Sequence, residues 1–383
     1  MTWNRLFVGV VLMMAGCFLR LLDAQEVSKS AQEARWIGLN PARQGVFEVT
    51  DASWQLLETP ELEPGELKLP FHSAPTALLP KDDSGAIPLP MLRRLFELPE
   101  GKTLRSALLS VASPDPFAAY FCGRPVASPG RVVEPPQANE LPLHTFDLTE
   151  RFREEGCVGP YTVDILLGRS TNADALSLRA LATLEITFED GETQRILSDE
   201  QWVVTNGPVL YNDPAIGELI DAAFHFRALR YCDYAGAFGL PFTQYLLGNA
   251  AILDAPKGKR LGPVVSENVD KADDKTAPKE AEPVELTETS PGVWVADFGQ
   301  TIYGRCRAVF HNEAPNDLIT IRYLCDSAKG ASAVSTDYLR CGTGDKPQFY
   351  EPFFTKRAFR RVEFSGLTHE LKKEHIQAIL LEE

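Results

Sequence analysis

Aromatic side chains are the first residues whose chemistry could serve binding. The C–H faces of sugar rings pack on tryptophan and tyrosine, while nearby polar groups fix the hydroxyls. Four aromatic residues in or beside strand-like runs are candidate carbohydrate contacts: Trp202, Tyr211, Trp294 and Tyr303. The alternative for each is a place in a hydrophobic core. For a tryptophan in an alternating strand, the core is the more frequent location.

Motifs for covalent or hydrolytic catalysis do not stand out. The G-x-S-x-G turn that exposes a hydrolase serine is missing, and the glycine-rich stretch 342–347 lacks the Walker pattern and fits a simple loop. A glycosidase needs two carboxylates that flank the scissile bond. Among 53 acidic residues, spacing selects no such pair. The residues by themselves therefore leave the chemistry open and predict no catalytic residue.

Metal and cofactor sites are not predicted either. The six histidines are scattered without ligand spacing, and no C-x-x-C pair occurs. Removal of Cys17 with a leader leaves an even number of cysteines, which permits disulfides in an exported protein. Buried free thiols are the open alternative. The six cysteines are Cys122, Cys157, Cys232, Cys306, Cys325 and Cys341.

The charge of the chain excludes one class of partner. The net charge of −15 and a pI near 5.0 repel phosphate backbones, and no lysine and arginine cluster provides a local basic surface. Nucleic acid is therefore not an expected partner. Acidity alone identifies no other ligand, because a solvated surface explains it equally well.

The N-terminus has the layout of a signal peptide. Arg5 precedes the apolar run 6–19, and small residues lead to a cleavage site after Ala24. A membrane span is the alternative, but the run has only about 14 residues before Arg20, and a span needs about 20. Cys17 could also accept a lipid as a weak lipoprotein site. Residues 1–24 are therefore predicted to be a leader, and the mature chain is predicted to be exported to the periplasm or the medium.

Short apolar runs broken by proline and glycine fill the chain from Met91 onward, a pattern typical of a β-sandwich. No long run with the 3.6-residue period of a helix occurs in the mature chain. The clearest element alternates apolar and polar residues through 183–188, as a half-buried strand does. Asp190-Gly191 supplies a tight turn, and residues 193–197 are predicted to return as the second strand of a hairpin.

Two groups of motifs show a family resemblance. Residues 179–223 contain S-D-E-Q-W (198–202), G-P-V-L-Y-N-D (207–213) and G-E-L-I-D-A (217–222). The stretch resembles the N-terminal β-sandwich of bacterial α-L-rhamnosidases of glycoside hydrolase family 78, which repeats S-D-x-x-W, G-P-[IV]-L-Y-x-D and G-E-x-x-D-A. A second match, G-V-W-V-A-D-F-G-Q (292–300), is similar to the opening of the next family sandwich, with Thr301 in place of asparagine. Residues 353–363 resemble its end, with Ala358 for glycine and Arg361 for tyrosine.

The resemblance implies a fold, a domain organisation and a location for the catalytic residues outside the matched domains. We expect an all-β chain with two antiparallel, jelly-roll-like β-sandwiches in tandem. The predicted segments are a signal peptide (1–24), a lead-in (25–90), a first sandwich (91–255), a charged linker or insertion (256–290) and a second sandwich (291–383). The family's catalytic residues lie on a later helical toroid whose motif this sequence lacks, and the glycine-tryptophan-tyrosine cluster that follows its L-G strand is replaced after Gly168 by 169–171. The acidic and amide residues within the matched motifs are expected to be structural: Asp199, Asp213, Glu218, Asp221, Asp297 and Gln300.

Two functions follow as hypotheses. The first is an accessory, non-catalytic portion of an exported α-L-rhamnosidase-like glycoside hydrolase, whose complete enzyme would invert the anomeric centre with one carboxylic acid and one carboxylate. The second is a free-standing, lectin-like carbohydrate-binding protein. The expected partners are a rhamnose-containing or related glycan and, if the enzyme is split, a separately encoded toroid domain. Arabinose- and glucuronide-bearing glycans stay open as ligands.

Overall fold

The structure is a computed structural model that describes residue 31 and residues 33–38, 47–50, 53–56, 89–126, 132–133, 139–154, 159–170, 178–222, 245–267, 279–314, 317–327, 330–342 and 347–381. The predicted leader, Cys157 and Cys232 lie outside these residues. Within the described ranges, no helix has the length and apolar character needed to cross a bilayer.

Strands dominate the described residues, and we number them in chain order. They are β1 (Ile37–Gly38), β2 (Phe47–Thr50), β3 (Ser53–Leu56), β4 (Pro90–Phe96), β5 (Leu104–Ala112), β6 (Phe117–Phe121), β7 (Arg124–Pro125), β8 (Glu140–Asp147), β9 (Tyr161–Leu167), β10 (Arg179–Phe188), β11 (Thr193–Leu197), β12 (Val203–Asn206), β13 (Val209–Asp213), β14 (Gly217–Asp221), β15 (Tyr245–Asn249), β16 (Ala251–Ile252), β17 (Arg260–Glu267), β18 (Glu280–Ala281), β19 (Glu285–Ser290), β20 (Val293–Phe310), β21 (Leu318–Ser327), β22 (Gly330–Arg340), β23 (Gln348–Tyr350), β24 (Arg357–Ser365) and β25 (Ile376–Leu380). A short helix, α1 (Thr149–Arg153), and a 3-10 turn (Lys373–His375) accompany them.

Two sheets form the first sandwich. One has the order β16-β1-β10-β5-β8-β17 with β11 on β10, and the other has the order β3-β2-β15-β12-β4-β9-β6-β7. A single hydrophobic core draws buried residues from both sheets, among them Leu109 and Ile186 from the first and Leu92 and Ile165 from the second. Burial of these alternating faces is the main stabilising term of the sandwich.

The predicted hairpin is confirmed, with one correction. Strands β10 and β11 pair antiparallel, and Gly191 has the positive φ of +85° that the turn requires. The face predicted to be polar and solvated is also largely buried, because Thr183 is 1% and Glu185 is 6% exposed. A small apolar cluster that includes Ala31, Ala34 and Leu181 lies on this sheet, and Glu185 accepts a hydrogen bond from Arg195 at 3.1 Å.

The third sheet surrounds a second hydrophobic core. Its order is β13-β14-β22-β21-β24-β20-β25-β18, with β19 and β23 also on β20. The long strand β20 pairs with β24 on both sides of an irregularity between Asp297 and Ile302. The all-β prediction is therefore confirmed. The pairing is not purely antiparallel, because β8 with β17 and β14 with β22 are parallel pairs.

Two segments pair with strands that their position in the sequence did not predict. The β13–β14 hairpin lies between β12 and β15 of the first sandwich in the chain, yet it pairs with β22 of the third sheet. Part of the segment 256–290 is strand, because β17 extends the first sheet and β18 and β19 join the third. Backbone pairing gives these polar stretches an order that their low apolar content did not predict.

Candidate functional site

A surface cleft lies beside the turn between β19 and β20. Gly292 occupies the turn with φ of +72°, and its N–H donates to Glu288 Oε1 at 3.1 Å. The Leu367 N–H donates to the Gly292 carbonyl at 3.3 Å, and a Cβ on Gly292 would come within 2.4 Å of the Leu367 carbonyl oxygen. Only glycine suits both the φ angle and this close approach. The turn is thereby held against the loop that follows β24.

The cleft has a volume of about 310 Å³, near the lower end of the range for small-molecule sites. Trp294 on β20 forms its apolar part and is half-buried against the second core. Leu367 and Leu371 are buried in that core, so the exposed residues between them are anchored at both ends. The complete lining is Glu288, Gly292, Trp294, Leu367, Thr368, His369 and Glu370.

A buried carboxylate fixes the polar side of the cleft. Glu313, which is 1% exposed, accepts both the Thr368 N–H at 3.0 Å and the Thr368 hydroxyl at 2.7 Å through Oε2. The Thr368 hydroxyl has a single hydrogen, so its 2.9 Å contact with His369 must use the His369 Nδ1–H as donor. In the neutral His369 ring, Nε2 is then an acceptor.

The cleft therefore offers mainly hydrogen-bond acceptors beside one aromatic surface. Glu288 and Glu370 contribute carboxylate oxygens, and both residues are solvent-exposed. A glycosidase keeps one of its two carboxyls protonated by enclosing it in an apolar site. Neither glutamate has such an enclosure. The arrangement suits the binding of a hydroxyl-rich molecule better than acid catalysis.

Three of the four predicted aromatic contacts have described side chains, and these three do not come together. Trp202 is 1% exposed and its indole N–H donates to the Leu197 carbonyl at 2.9 Å, so the prediction of a sugar contact is corrected to a core role. Tyr303 is 39% exposed on β20 but is not part of the cleft lining. Tyr211 is described only by its backbone in β13. Of the predicted aromatic side chains that the structure describes, Trp294 is the one that lines the cleft.

The aspartates of the matched motifs make local and inter-strand contacts. Asp199 Oδ1 accepts the Gln201 N–H at 2.9 Å, and Asp213 Oδ1 accepts the Ala215 N–H at 2.8 Å in the β13–β14 turn. Asp221 pairs with the Arg340 guanidinium. These contacts occupy the carboxylates within the protein.

Asp297 and Gln300 lie at the irregularity of β20. Asp297 Oδ1 accepts the Gly299 N–H at 2.7 Å and the Arg360 guanidinium at 3.1 Å. Although burial opposes it, these donors lower the pKa of Asp297 below its ordinary value. Gln300 is exposed beside the irregularity. Asp297 and Gln300 thus lie at the irregularity in the pairing of β20 with β24.

Glu218 is the most enclosed of the motif residues. It is 1% exposed, and its carboxylate accepts the backbone N–H groups of Phe353, Phe354 and Thr355 at 2.8, 2.7 and 2.5 Å. Burial, reinforced by the charge of nearby Asp337, raises the pKa of Glu218 above its ordinary value despite these donors. The hairpin that carries Glu218 is thereby fastened to the segment before β24.

Asp337 completes this buried polar cluster. Its carboxylate accepts the Glu218 N–H at 2.8 Å, the Arg357 guanidinium at 2.9 Å and the Tyr350 hydroxyl at 2.5 Å. Tyr350 also bonds to the hydroxyl of Tyr323 at 2.7 Å, and Arg357 lies 4.4 Å from the centre of the Tyr323 ring. Burial, followed by the Asp337 charge, raises the pKa of Tyr350 well above its ordinary value. Protein groups occupy both carboxyls of the cluster, which leaves no room for a glycosidic bond.

Sequence reasoning missed Glu288, His369, Glu370 and Asp337. Glu288 lies about 80 residues from His369 and Glu370 along the chain, and the three meet only because β19, β20 and β24 are neighbours. Asp337 is a single polar residue in an ordinary strand pattern, and its partners come from three other segments. A polar tripeptide between two leucines at 367–371 was the one available signal of an anchored loop.

The structure describes four of the six cysteines that remain after the predicted leader. Cys306, Cys325 and Cys341 are free thiols and Cys122 is buried, whereas the disulfide alternative stays untested for the two cysteines outside the described ranges. Among the residues that the structure covers, no three His, Cys, Asp or Glu side chains form a group that could hold a metal ion.

Comparison with known proteins finds a similarity to one enzyme family. Residues 137–235 match the model of the α-L-rhamnosidase N-terminal domain. The chain is 24% identical over 265 residues to an α-L-rhamnosidase of Formosa agariphila and 27% identical over 299 residues to one of Streptomyces avermitilis. These alignments cover 62% and 72% of this chain but only 26% of each relative. The chain thus spans about a quarter of the length of these curated relatives.

Solved structures show the same fold. The α-L-rhamnosidase from Dictyoglumus thermophilum superposes with a TM-score of 0.62 at 22% identity and covers 91% of this chain and 35% of its own. The Streptomyces avermitilis enzyme, solved in complex with L-rhamnose, gives a TM-score of 0.57 at 22% identity over 79% of this chain and 29% of its own. The predicted resemblance is confirmed: residues 137–235 are similar to the α-L-rhamnosidase N-terminal domain, and the chain has the fold of the matching part of solved α-L-rhamnosidases.

Proposed function

We propose that this chain is the accessory, non-catalytic portion of an exported α-L-rhamnosidase-like glycoside hydrolase. The match of residues 137–235 to the N-terminal domain of these enzymes is the observation that carries the proposal. The fold shared with two solved α-L-rhamnosidases supports it. A rhamnose-containing or related glycan is the proposed ligand, and a separately encoded helical-toroid domain is the proposed protein partner.

The carboxylates of the described residues support the non-catalytic role. The buried pair Glu218 and Asp337 is saturated by protein donors, and the cleft residues Glu288 and Glu370 are exposed. Inverting hydrolysis needs an enclosed acid and a second carboxylate about 6.5–9.5 Å away, with room for a water between them. Neither pair meets these requirements.

The purified chain is expected to show no turnover of an aryl α-L-rhamnoside above the rate in buffer, because neither of these two carboxyl pairs is arranged to act as acid and base. Release of the aryl alcohol measures this directly. Turnover that Glu288→Gln or Glu370→Gln abolishes, while Glu282→Gln at an exposed site leaves it unchanged, would contradict the proposal.

Export is tested with the complete chain in a bacterial host. We expect the mature protein outside the cytoplasm with Gln25 at its N-terminus, since the apolar run 6–19 and Ala24 have the layout of a cleaved leader. N-terminal sequencing of the recovered protein checks the cleavage site. Retention in the cytoplasm with residues 1–24 intact would refute export, and a lipid on Cys17 would replace soluble release by membrane attachment.

The second candidate function is a free-standing carbohydrate-binding protein, which the Trp294 cleft favours. A glycan array probed with the purified chain distinguishes the two. Binding without any toroid-encoding segment in the adjoining reading frame favours the free-standing protein. Such a segment, or a toroid protein that restores rhamnosidase activity when it is mixed with this chain, favours the accessory role. Absence of binding combined with poor solubility would point instead to an unpartnered docking surface.

A further inference from the structure

We infer that the Trp294 cleft is a binding site for one neutral pyranose unit that presents neighbouring hydroxyl groups. The inference deepens the proposed carbohydrate-related function by giving it a location and a ligand class. It depends on the geometry of β19, β20 and the loop at 367–371, and it involves no carboxyl of the buried cluster.

The hydrogen-bonding character of the cleft defines the ligand. Glu288 and Glu370 provide carboxylate oxygens, and the Thr368 contact leaves Nε2 of neutral His369 as a third acceptor. A ligand that satisfies acceptors must donate, and sugar hydroxyls are donors that also tolerate solvent. Neighbouring hydroxyls on one ring can donate to more than one of these acceptors. The polar lining therefore favours a polyhydroxylated ring.

Trp294 supplies the complementary apolar surface. Its ring is half-buried against the second core, so its position is set by packing and little rotamer entropy is lost when a ligand binds. The C–H face of a pyranose can pack on such a ring and bury apolar area against it. The cleft volume of about 310 Å³ accommodates one sugar ring rather than an extended oligosaccharide.

Charge excludes acidic sugars. A uronate would place its carboxylate beside Glu288 and Glu370 in a cleft whose protein already carries a net charge of −15. Like charges at contact distance disfavour the complex. The site should therefore discriminate a neutral glycoside from D-glucuronate.

Hydrogen bonds and buried side chains fix the loop at 367–371, so the cleft is formed before a ligand binds. Glu313 holds Thr368 through two hydrogen bonds, Leu367 and Leu371 are buried in the core, and the Leu367 N–H bonds to the Gly292 carbonyl. The polar residues are thus held in place before a ligand arrives, which reduces the entropic cost of binding.

The test uses the full chain labelled with ¹⁵N-tryptophan and the probe methyl α-L-rhamnoside. The indole signal of Trp294 is identified by its loss in Trp294→Phe. Titration is expected to shift this signal with millimolar affinity, about −4 kcal/mol. The signal of Trp202 should stay unchanged, because its indole N–H is buried and bonded to the Leu197 carbonyl.

Variants separate the cleft from the rest of the surface. Trp294→Ala is expected to weaken binding at least about tenfold, and His369→Ala and Glu370→Ala about threefold to tenfold each. The last two residues are exposed, so their variants should unfold at the same temperature as the parent chain. Phe349→Ala removes an exposed aromatic of the same sheet outside the cleft and should bind normally. D-glucuronate should bind at least about tenfold more weakly than the neutral glycoside.

The outcomes are distinguishable. Binding with unchanged affinity in all three cleft variants would overturn this inference and leave a carbohydrate-related function in place at another surface. Equal affinity for D-glucuronate and methyl α-L-rhamnoside would contradict the inference that the ligand is a neutral sugar. Absence of binding to methyl α-L-rhamnoside and to every neutral glycan of an array would overturn both the cleft and the carbohydrate-binding alternative. The accessory role would then depend on the complementation experiment alone.

Discussion

Replacement of Asp337 by alanine is expected to lower the free energy of unfolding by about 3–5 kcal/mol. The change removes the acceptor for three groups, the Arg357 guanidinium, the Tyr350 hydroxyl and the Glu218 N–H, in a place that is 0% exposed. Arg357 would be left as a buried charge without its carboxylate. Urea unfolding followed by circular dichroism measures the loss.

A double variant tests whether the unpaired charge is the cause. Replacement of both ionic partners, as Asp337→Ala with Arg357→Met, should be less destabilising than Asp337→Ala alone, because no charge is left buried without its partner. Glu282→Ala at an exposed position should change stability by less than about 0.5 kcal/mol. A single variant that unfolds at the same urea concentration as the parent chain would show that the cluster contributes little.

Replacement of Glu218 by alanine is expected to cost about 3–5 kcal/mol, since three buried backbone N–H groups lose their acceptor together. The exposed Glu200→Ala serves as the matched control, with an expected change below about 0.5 kcal/mol. Unfolding of the alanine variant within experimental error of the parent chain would contradict the clamp between the hairpin and residues 353–355.

The raised pKa of Glu218 also predicts how the stability of the fold depends on pH. The pKa of Glu218 is raised in the folded state, so above the ordinary value of 4.5 the folded chain holds a proton that the unfolded chain has released. Stability contributed by this proton is full below pH 4.5 and is lost as the pH rises through the folded pKa. The stability difference between the parent chain and Glu218→Gln, which cannot titrate, should therefore shrink as the pH rises. A difference that grows with pH would show that the ionised form is the one preferred by the fold.

The cluster also explains why two distant sequence motifs occur together. Glu218 lies in the G-E-L-I-D-A motif, and its hydrogen-bond donors lie at the start of the F-F-T-K-R motif. Phe354, in the second motif, is part of the first hydrophobic core, and a Cβ on Gly168 would come within 2.4 Å of its ring. The segment at 353–355 therefore contacts the first sandwich through a side chain and the hairpin through its backbone. Both motifs are parts of one junction.

Local patterns predicted the elements of the fold well. The alternation at 183–188 and the Asp190-Gly191 turn specify a hairpin through interactions within about 15 residues, and the structure confirms it. The burial of its polar face could not be foreseen. It depends on the neighbour that covers the sheet, and the covering residues Ala31 and Ala34 lie about 150 residues away.

Strand content, short turns, the family resemblance and the acidic character could all be predicted from the sequence, because each depends on residue type and near-neighbour spacing. Which aromatic residues face solvent and which carboxylates meet depends instead on the packing of distant segments. Trp202 and Trp294 stand in similar strand patterns, yet one is buried with its indole N–H bonded and the other lines a cleft. Strand order brings Glu288 to His369 and Glu218 to Asp337, and strand order is set by non-local packing that spacing along the chain does not encode.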